Sequence, residues 1–230
     1  MKIQDSVVIV TGASGGIGLA AVRALAQKGA KVVLAARSEE KLRQLEAEIP
    51  NSYAVVMDMR KHADIKHLIE KTQEKFGRID CLINNAGIGL MAGIESIDMQ
   101  EYRDVMELNV FSVLEAMQLV IPIMREQGGG TILNISSMVS KNYYPRLAAY
   151  ASTKYALNAL SLTAREELKD AGIVVSVFHP KMTATDFGKN AHGATYDSAA
   201  GRPGMTVDTA EEVADQIVKQ LESGEAEANM

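Results

Sequence analysis

The stretch that most limits how this chain can fold runs from Ser6 to Gly29. Val7-Val8-Ile9-Val10 is a short apolar, β-branched run, as expected of a strand covered on both faces of a parallel sheet. It flows into Thr11-Gly12-Ala13-Ser14-Gly15-Gly16-Ile17-Gly18 and then into an alanine-rich segment, Leu19 to Lys28, that reads as a helix stopped by Gly29. Strand, glycine turn and helix in that order open a βαβ unit. There the glycines let backbone N–H groups approach a pyrophosphate, and the positive end of the helix favours the anion. The spacing Gly12, Gly16, Gly18 is one residue wider than GxGxxG and is a distinct pattern. Taken without context it could be a tight structural loop. On the dinucleotide reading, Gly12, Ser14, Gly16, Ile17 and Gly18 make the contacts.

A second strand, Lys31 to Ala36, closes the first unit, and the residue at its tip would face the adenosine ribose. A carboxylate there selects NAD, whereas a basic residue accommodates a 2′-phosphate. The tip is Ala36-Arg37-Ser38, so the expected cofactor is NADP(H), with Arg37 on the phosphate and Ser38 and Ser14 assisting. The competing reading sends Arg37 to solvent. Residues 39 to 48 form an amphipathic helix ended by Pro50, Tyr53 to Met57 a third strand, and Lys61 to Phe76 a further helix. Asp58 either accepts from the adenine amino group or caps that helix. Ile79 to Ile83 is the fourth strand, running into Asn84-Asn85-Ala86-Gly87. Asn85, Ala86 and Gly87 there either border a flat ligand or make a purely structural turn.

The length of 230 residues allows one large α/β domain or two small ones, and the absence of a repeat or linker signal favours one, residues 1–230. A net charge of -5 argues against a nucleic-acid partner. The apolar runs are shorter than the roughly 20 residues of a membrane span, and no signal-like segment opens the chain, so a cytoplasmic location is expected. Cys81, the one cysteine, lies in an apolar stretch and reads as a small buried hydrophobe rather than a redox group. The four histidines, His62, His67, His179 and His192, make no metal-ligand pattern, and no metal is expected.

The chemistry concentrates at residues 137 to 154. On a helix, Tyr150 and Lys154 share one face, close enough for an ammonium to act on a phenol. A free tyrosine ionises near pH ~10, so a neighbouring cation is what lets it exchange protons near neutrality. Ser137 follows the apolar run Thr131 to Ser136, which reads as a buried strand, and a hydroxyl at a strand's carboxyl end belongs on the rim where open α/β sheets bind ligands. Alone, a Tyr four before a Lys is common on solvated helix faces.

Together these motifs resemble the short-chain dehydrogenase/reductase family over nearly the whole chain: TGxxxGxG at Thr11 to Gly18, NNAG at Asn84 to Gly87, Asn109 in Glu107-Leu108-Asn109-Val110, Ser137, and YxxxK at Tyr150 to Lys154. The resemblance implies an α/β, doubly wound parallel sheet (Rossmann-like) with strand order 3-2-1-4-5-6. It also implies a nicotinamide cofactor across the switch point and a catalytic tetrad of Asn109, Ser137, Tyr150 and Lys154. Asn109 would anchor a water in a proton relay from Lys154, or merely satisfy helix backbone. Met99 to Gln127 reads as one long helix bent by Pro122, and Ala148 to Asp170 as another. In the family these pair with their copies, so a homodimer or homotetramer through 99–127 and 148–171 is expected.

After the strand Ile173 to Phe178, the family pattern PGxxxT appears as Pro180 to Thr185, with Lys181 where glycine is usual. Pro180, Thr183 and Thr185 are the expected contacts to the carboxamide end of the cofactor, provided Lys181 does not restrict a loop needing φ > 0. Residues 186–206 lack periodicity and suit a mobile flap over a roomy, apolar pocket that Tyr143, Tyr144 and Met138 would also border. Thr209 to Leu221 is a final helix, and the acidic tail beyond it leaves the seventh strand short or missing. The implied activity is hydride transfer between NADP(H) and a carbonyl or secondary alcohol. The rivals are an epimerase or dehydratase relative, which would have a longer substrate domain, and a cofactor-sensing module, which would lack part of the tetrad.

Overall fold

The computed structural model describes residues 1–193 and 207–230. Seven strands, β1 (Val7–Thr11), β2 (Lys31–Ala36), β3 (Ser52–Val56), β4 (Cys81–Asn84), β5 (Gly130–Ile135), β6 (Ile173–His179) and β7 (Glu227–Asn229), form one sheet in the order 3-2-1-4-5-6-7. All six pairings are parallel. The order reverses between β1 and β4, so the crevice at the switch point opens above the carboxyl ends of those two strands. Strand limits fall within two residues of the expected ones. The tail does form a strand, a three-residue stub beside β6.

Alternation across the sheet divides the core in two. Val8 and Val10 of β1 point into a cluster with Val22 and Leu25 of α1 (Gly16–Gln27), Leu42 of α2 (Glu39–Glu48) and Ile217 of a C-terminal helix, residues 210–223. Val7 and Ile9 point the other way, onto Ile65 and Leu68 of α3 (His62–Phe76) and onto Val113, Val120 and Leu157. Each fully buried side chain of this kind contributes about 1.5–3 kcal/mol, which is why β1 can be apolar on both faces. Cys81 belongs to the first cluster, and burial pushes its thiol far above the ordinary cysteine range, which makes it inert.

The helix expected over Met99 to Gln127 is broken in two. α4 (Met99–Met106), opened by the Asp98 carboxylate accepting from the N–H groups of Gln100 and Glu101, gives way to a π-helical segment, Glu107–Phe111, before α5 (Ser112–Glu126) resumes. Pro122 sits inside α5 without ending it. The stretch Met99–Glu126, with a mean hydropathy of 1.4 in its most apolar window, has the length and composition of a membrane span. Here, however, Val113, Ala116, Met117, Val120 and Met124 cover the sheet. α6 (Ala148–Leu168) and a 3-10 turn ending at left-handed Gly172 lead into β6, and α7 (Ala210–Ser223) begins with a capping box between Thr209 and Glu212.

Most of the flap expected at 186–206 lies outside the described residues. In its described part a 3-10 turn, Gly188–Asn190, precedes His192–Gly193, which pairs in parallel with Leu90–Met91.

Candidate active site

The glycine turn is built from backbone, and the neighbouring strand closes it. Thr11 Oγ1 accepts the N–H groups of Asn85 and Ala86 at 3.0 and 3.1 Å, and Asn85 Nδ2 donates to the Thr11 carbonyl at 2.9 Å. Asn85 is thus the clamp between the ends of β1 and β4, which both readings of that turn allow. A Cβ at Gly18 would lie 2.4 Å from the Gly12 carbonyl oxygen and 2.5 Å from Asn85 Nδ2, so only glycine lets α1 approach this closely. Gly12 and Gly16 have φ of 67° and 53°. α1 starts at Gly16 with no side-chain cap and no acidic residue in its first turn, leaving N–H groups and a positive end for an anion. The half-buried Ser14 and Ile17 flank that end. This cradle fits a dinucleotide pyrophosphate.

Arg37 and Ser38 stand exposed at the tip of β2, where Ala36 is buried. Asp58 does not cap α3, whose N-cap residue is Lys61 with no side-chain cap bond. Its carboxylate instead accepts from the Arg60 guanidinium at 2.7 and 3.1 Å. Arg60 holds the Asp58 carboxyl below its ordinary range against the opposing effect of burial, and Arg37 adds a weaker attraction. Arg60 and Arg37 therefore share this corner of the crevice with the Asp58 carboxylate, and Asp64 Oδ2 accepts from Asp58 N at 2.9 Å.

Across the switch point the site is made of side chains. Asn109 is fully buried in the π-helical segment. Its Oδ1 accepts from Ile88 N at 3.0 Å, and its Nδ2 donates to the Ile88 carbonyl at 2.9 Å and to Thr153 Oγ1 at 3.1 Å. The side chain therefore satisfies backbone, though that of the loop after β4 rather than of its own helix. A π-turn re-aims residues on a helix, and here it turns Asn109 toward that loop.

Lys154, one turn beyond Tyr150 on α6, is 5 % exposed, and its Nζ donates to the Ile135 carbonyl at 2.8 Å. Burial lowers its pKa to about 8. The Nζ lies 5.9 Å from the centre of the Tyr150 ring and 3.7 Å from where a Gly87 Cβ would stand. Asn109 Oδ1 is 3.0 Å from the same point, so Gly87, Asn109 and Lys154 meet around one small space. Ser137 enters from the sheet, two residues past Ile135, as the N-cap of a 3-10 turn, Met138–Ser140, with its Oγ accepting from Val139 N at 3.3 Å.

The segment after β6 reaches back to the glycine turn. Thr185 Cγ2 would be 3.1 Å from a Cβ on Gly16, which puts the two halves of the crevice in contact. The Pro180 carbonyl accepts from Met138 N at 3.1 Å, tying this segment to the Ser137 turn. Thr183 pairs with Asp208 and donates its hydroxyl to the Lys181 carbonyl. Lys181 is not among the residues with positive φ, so glycine is not required there and the lysine sits without strain. Tyr143 is 92 % exposed and stacks on Tyr155, while Tyr144 is 46 % exposed.

The sequence reading gave no role of their own to three contributors, although Thr11 opens the TGxxxGxG motif. Thr11 and Thr153 hold Asn85 and Asn109, and no periodicity marks them out. Phe187 lies with its ring 5.7 Å from that of Tyr150, a contact made from within an aperiodic segment.

Fold and site together define a doubly wound, parallel α/β protein with a glycine turn that suits an anion at the switch point. The profile of the short chain dehydrogenase family matches residues 6–195, and the chain belongs to that family. It is 36% identical over 195 residues to a 3α-hydroxysteroid dehydrogenase from Mediterraneibacter gnavus, covering 81% of this chain and 77% of that one. An uncharacterized oxidoreductase from Staphylococcus saprophyticus is 34% identical over 80% of this chain and 81% of its own length. Among solved structures, an alcohol dehydrogenase from Thermococcus sibiricus complexed with 5-hydroxy-NADP superposes with a TM-score of 0.87 at 26% identity, over 99% of this chain and 96% of that one. A 3-ketoacyl-(acyl-carrier-protein) reductase from Brucella melitensis complexed with NADH does so with a TM-score of 0.89 at 25% identity, over 99% and 98%.

Proposed function

We propose that this chain interconverts a carbonyl compound and the corresponding secondary alcohol with NADP(H), using Tyr150 as general acid and base. The observation that carries the reading is Lys154. Burying an ammonium costs stability, and such a group is retained where its charge is needed. Its neighbour on the same helix face is Tyr150, a phenol 9 % exposed at the crevice.

A nicotinamide held between the glycine cradle and the Pro180–Thr185 segment would supply the hydride. Tyr150 Oη gives its proton to the carbonyl oxygen in reduction and takes it back in oxidation, and the Lys154 cation favours the proton's departure. Ser137 Oγ donates to the same oxygen and stabilises the alkoxide character that develops there. The Asn109 side chain bonds Ile88 and Thr153, which fixes it beside Lys154 and leaves one Oδ1 lone pair for a water in a relay. Thr183, Thr185 and Pro180 hold the carboxamide end, and Gly87 keeps the floor clear for the ring.

Neighbours that carry 5-hydroxy-NADP and NADH support a nicotinamide of either kind. Exposed Arg37 and Ser38, with no carboxylate at position 36, favour the 2′-phosphate. Asp58, paired with Arg60, borders the adenine. The family relation and exposed Phe111 and Tyr155 on the 99–127 and 148–171 helices favour a homodimer or homotetramer through those faces. A panel of ketones, aldehydes and secondary alcohols, followed by nicotinamide absorbance with each cofactor, tests the assignment. Turnover with a lower KM for NADPH than for NADH is expected, and Arg37→Ala should erase about tenfold of that preference. An enzyme that prefers NADH would overturn the cofactor assignment, and no turnover across the panel would overturn the reaction.

A further inference from the structure

The Ser137 carbonyl is a hub. It accepts from Ser140 N at 3.0 Å and from Ser140 Oγ at 2.6 Å, and His179 Nδ1 lies 3.4 Å away. Around it Ser136 Oγ donates to Asn158 Oδ1 at 2.6 Å, and Asn158 Nδ2 donates to Ser140 Oγ at 3.0 Å. This polar cluster fixes the turn that carries Ser137, and one face of it is the His179 ring.

His179 ends β6 with a fully buried side chain. Its Nε2 is 3.0 Å from Glu227 Oε1, and its Nδ1 is 3.3 Å from Ser140 Oγ. Glu227 is the first residue of β7, and the parallel pairing of Val177 with Glu227 brings the carboxylate over the ring. The other charged group here, Lys141, donates to the same Glu227 oxygen at 2.7 Å. The three-residue stub thus ends on an active-site turn rather than merely closing the sheet edge.

The donor count shows what the ring does. A carboxylate at Nε2 requires an N–H there, which leaves Nδ1 of a neutral imidazole as a bare acceptor. Ser140 Oγ, 3.3 Å from Nδ1 and 2.6 Å from the Ser137 carbonyl oxygen, has a single hydrogen for both acceptors, so the ring acts on the carbonyl through that hydroxyl, and protonating Nδ1 leaves the hydrogen to the carbonyl alone. Burial opposes that protonation and holds His179 below the ordinary histidine range, against the pull of Glu227.

We infer that His179, braced by Glu227 of the terminal strand, is a positioning residue that sets the Ser137 hydroxyl through Ser140, whose Oγ stands between the ring and the Ser137 carbonyl. This rests on the proposed role of Ser137. His179→Phe keeps the volume and removes both ring nitrogens. It is expected to lower kcat about tenfold while the Kd for NADPH stays within about twofold, because the cradle is remote. His179→Asn, whose amide sits where Nδ1 was, is expected to restore most of kcat, and His179→Gln, which serves only the Glu227 side, is not. The wild-type kcat profile should carry an inflection on the acid side of ~6.5 that His179→Asn lacks. Equal kcat in the Phe variant, or equal rescue by Gln and Asn, would overturn the inference.

Amide hydrogen exchange gives a readout independent of turnover, and Glu227→Ala, at a part-exposed position, guards against misfolding of the buried variants. Exchange at residues 138–141 should quicken in Glu227→Ala and His179→Phe. Unchanged exchange there overturns the inference whether or not a substrate is found. Absence of turnover in the wild type, with exchange altered, would count against the carbonyl reaction alone.

Discussion

The two halves of the crevice are made of different material. On the β1–β4 side the working surface is backbone: Gly12, Gly16 and Gly18 expose N–H groups, and Thr11 and Asn85 lock the strand ends together. On the β5–β6 side it is side chain: Lys154, Ser137 and Asn109 are each held by a hydrogen bond to backbone. A backbone surface is specified by what is absent, since a Cβ at Gly18 collides and Gly12 and Gly16 take positive φ. A side-chain surface is specified by partners, several of them far away in sequence. The first half should therefore fail on addition of atoms, and the second on their removal.

The largest effect is expected on the side-chain half. Tyr150→Phe should lower kcat by at least about 10³-fold, near 4 kcal/mol of transition-state stabilisation, with NADPH affinity kept because the ring still packs. Steady-state kinetics beside a fluorescence titration measures both, and near-normal turnover would remove Tyr150 from the proton transfer. Next comes the backbone half. Gly18→Ala forces its methyl group against the Gly12 carbonyl and Asn85, and should cost about 3 kcal/mol and most cofactor binding. Denaturant unfolding with and without NADPH checks this; a variant that binds normally would show that the turn can open.

Asn109→Ala removes three hydrogen bonds and strands the Ile88 N–H and C=O, for about 2 kcal/mol of lost stability. If Asn109→Ala were as stable as the wild type, the clamp would be dispensable and the two halves less different than they look. Smaller within any one pH unit is the effect of pH on stability. Lys154 has a folded pKa of about 8, below an unfolded value near ~10.4. Between those values the unfolded chain binds the extra proton, so stability should rise with pH by at most about 1.4 kcal/mol per unit. Lys154→Met should lose that slope together with activity. A Met variant that keeps the slope would assign the buried titration elsewhere.

The sequence reading was strongest where one stretch carries a whole message. The apolar β1, the glycine spacing and the helix after it need no distant partner, and β1 and α1 stand where they were expected. Tyr150 and Lys154 were legible for the same reason, because helical geometry alone puts them on one face. It was weakest where meaning lies in a partner far along the chain. Asp58 looked equally like a helix cap until Arg60 took its carboxylate. The segment at 107–111 looked like continuous helix, because the Ile88 backbone that turns Asn109 aside is remote in sequence. Phe187 against Tyr150 and Glu227 against His179 carry no local pattern at all.

The chain's own order of residues thus determined the parallel α/β sheet, the glycine cradle and the Tyr–Lys device, since periodicity and short spacings encode contacts between near neighbours. The tertiary structure alone decided which polar groups hold those parts in register: Asn85 on Thr11, Asn109 on Ile88, His179 between Glu227 and the Ser137 turn. The physical reason is burial. A hydrogen bond sealed from water must find its partner wherever the fold brings one, and the fold brings it from residues that the linear sequence keeps apart.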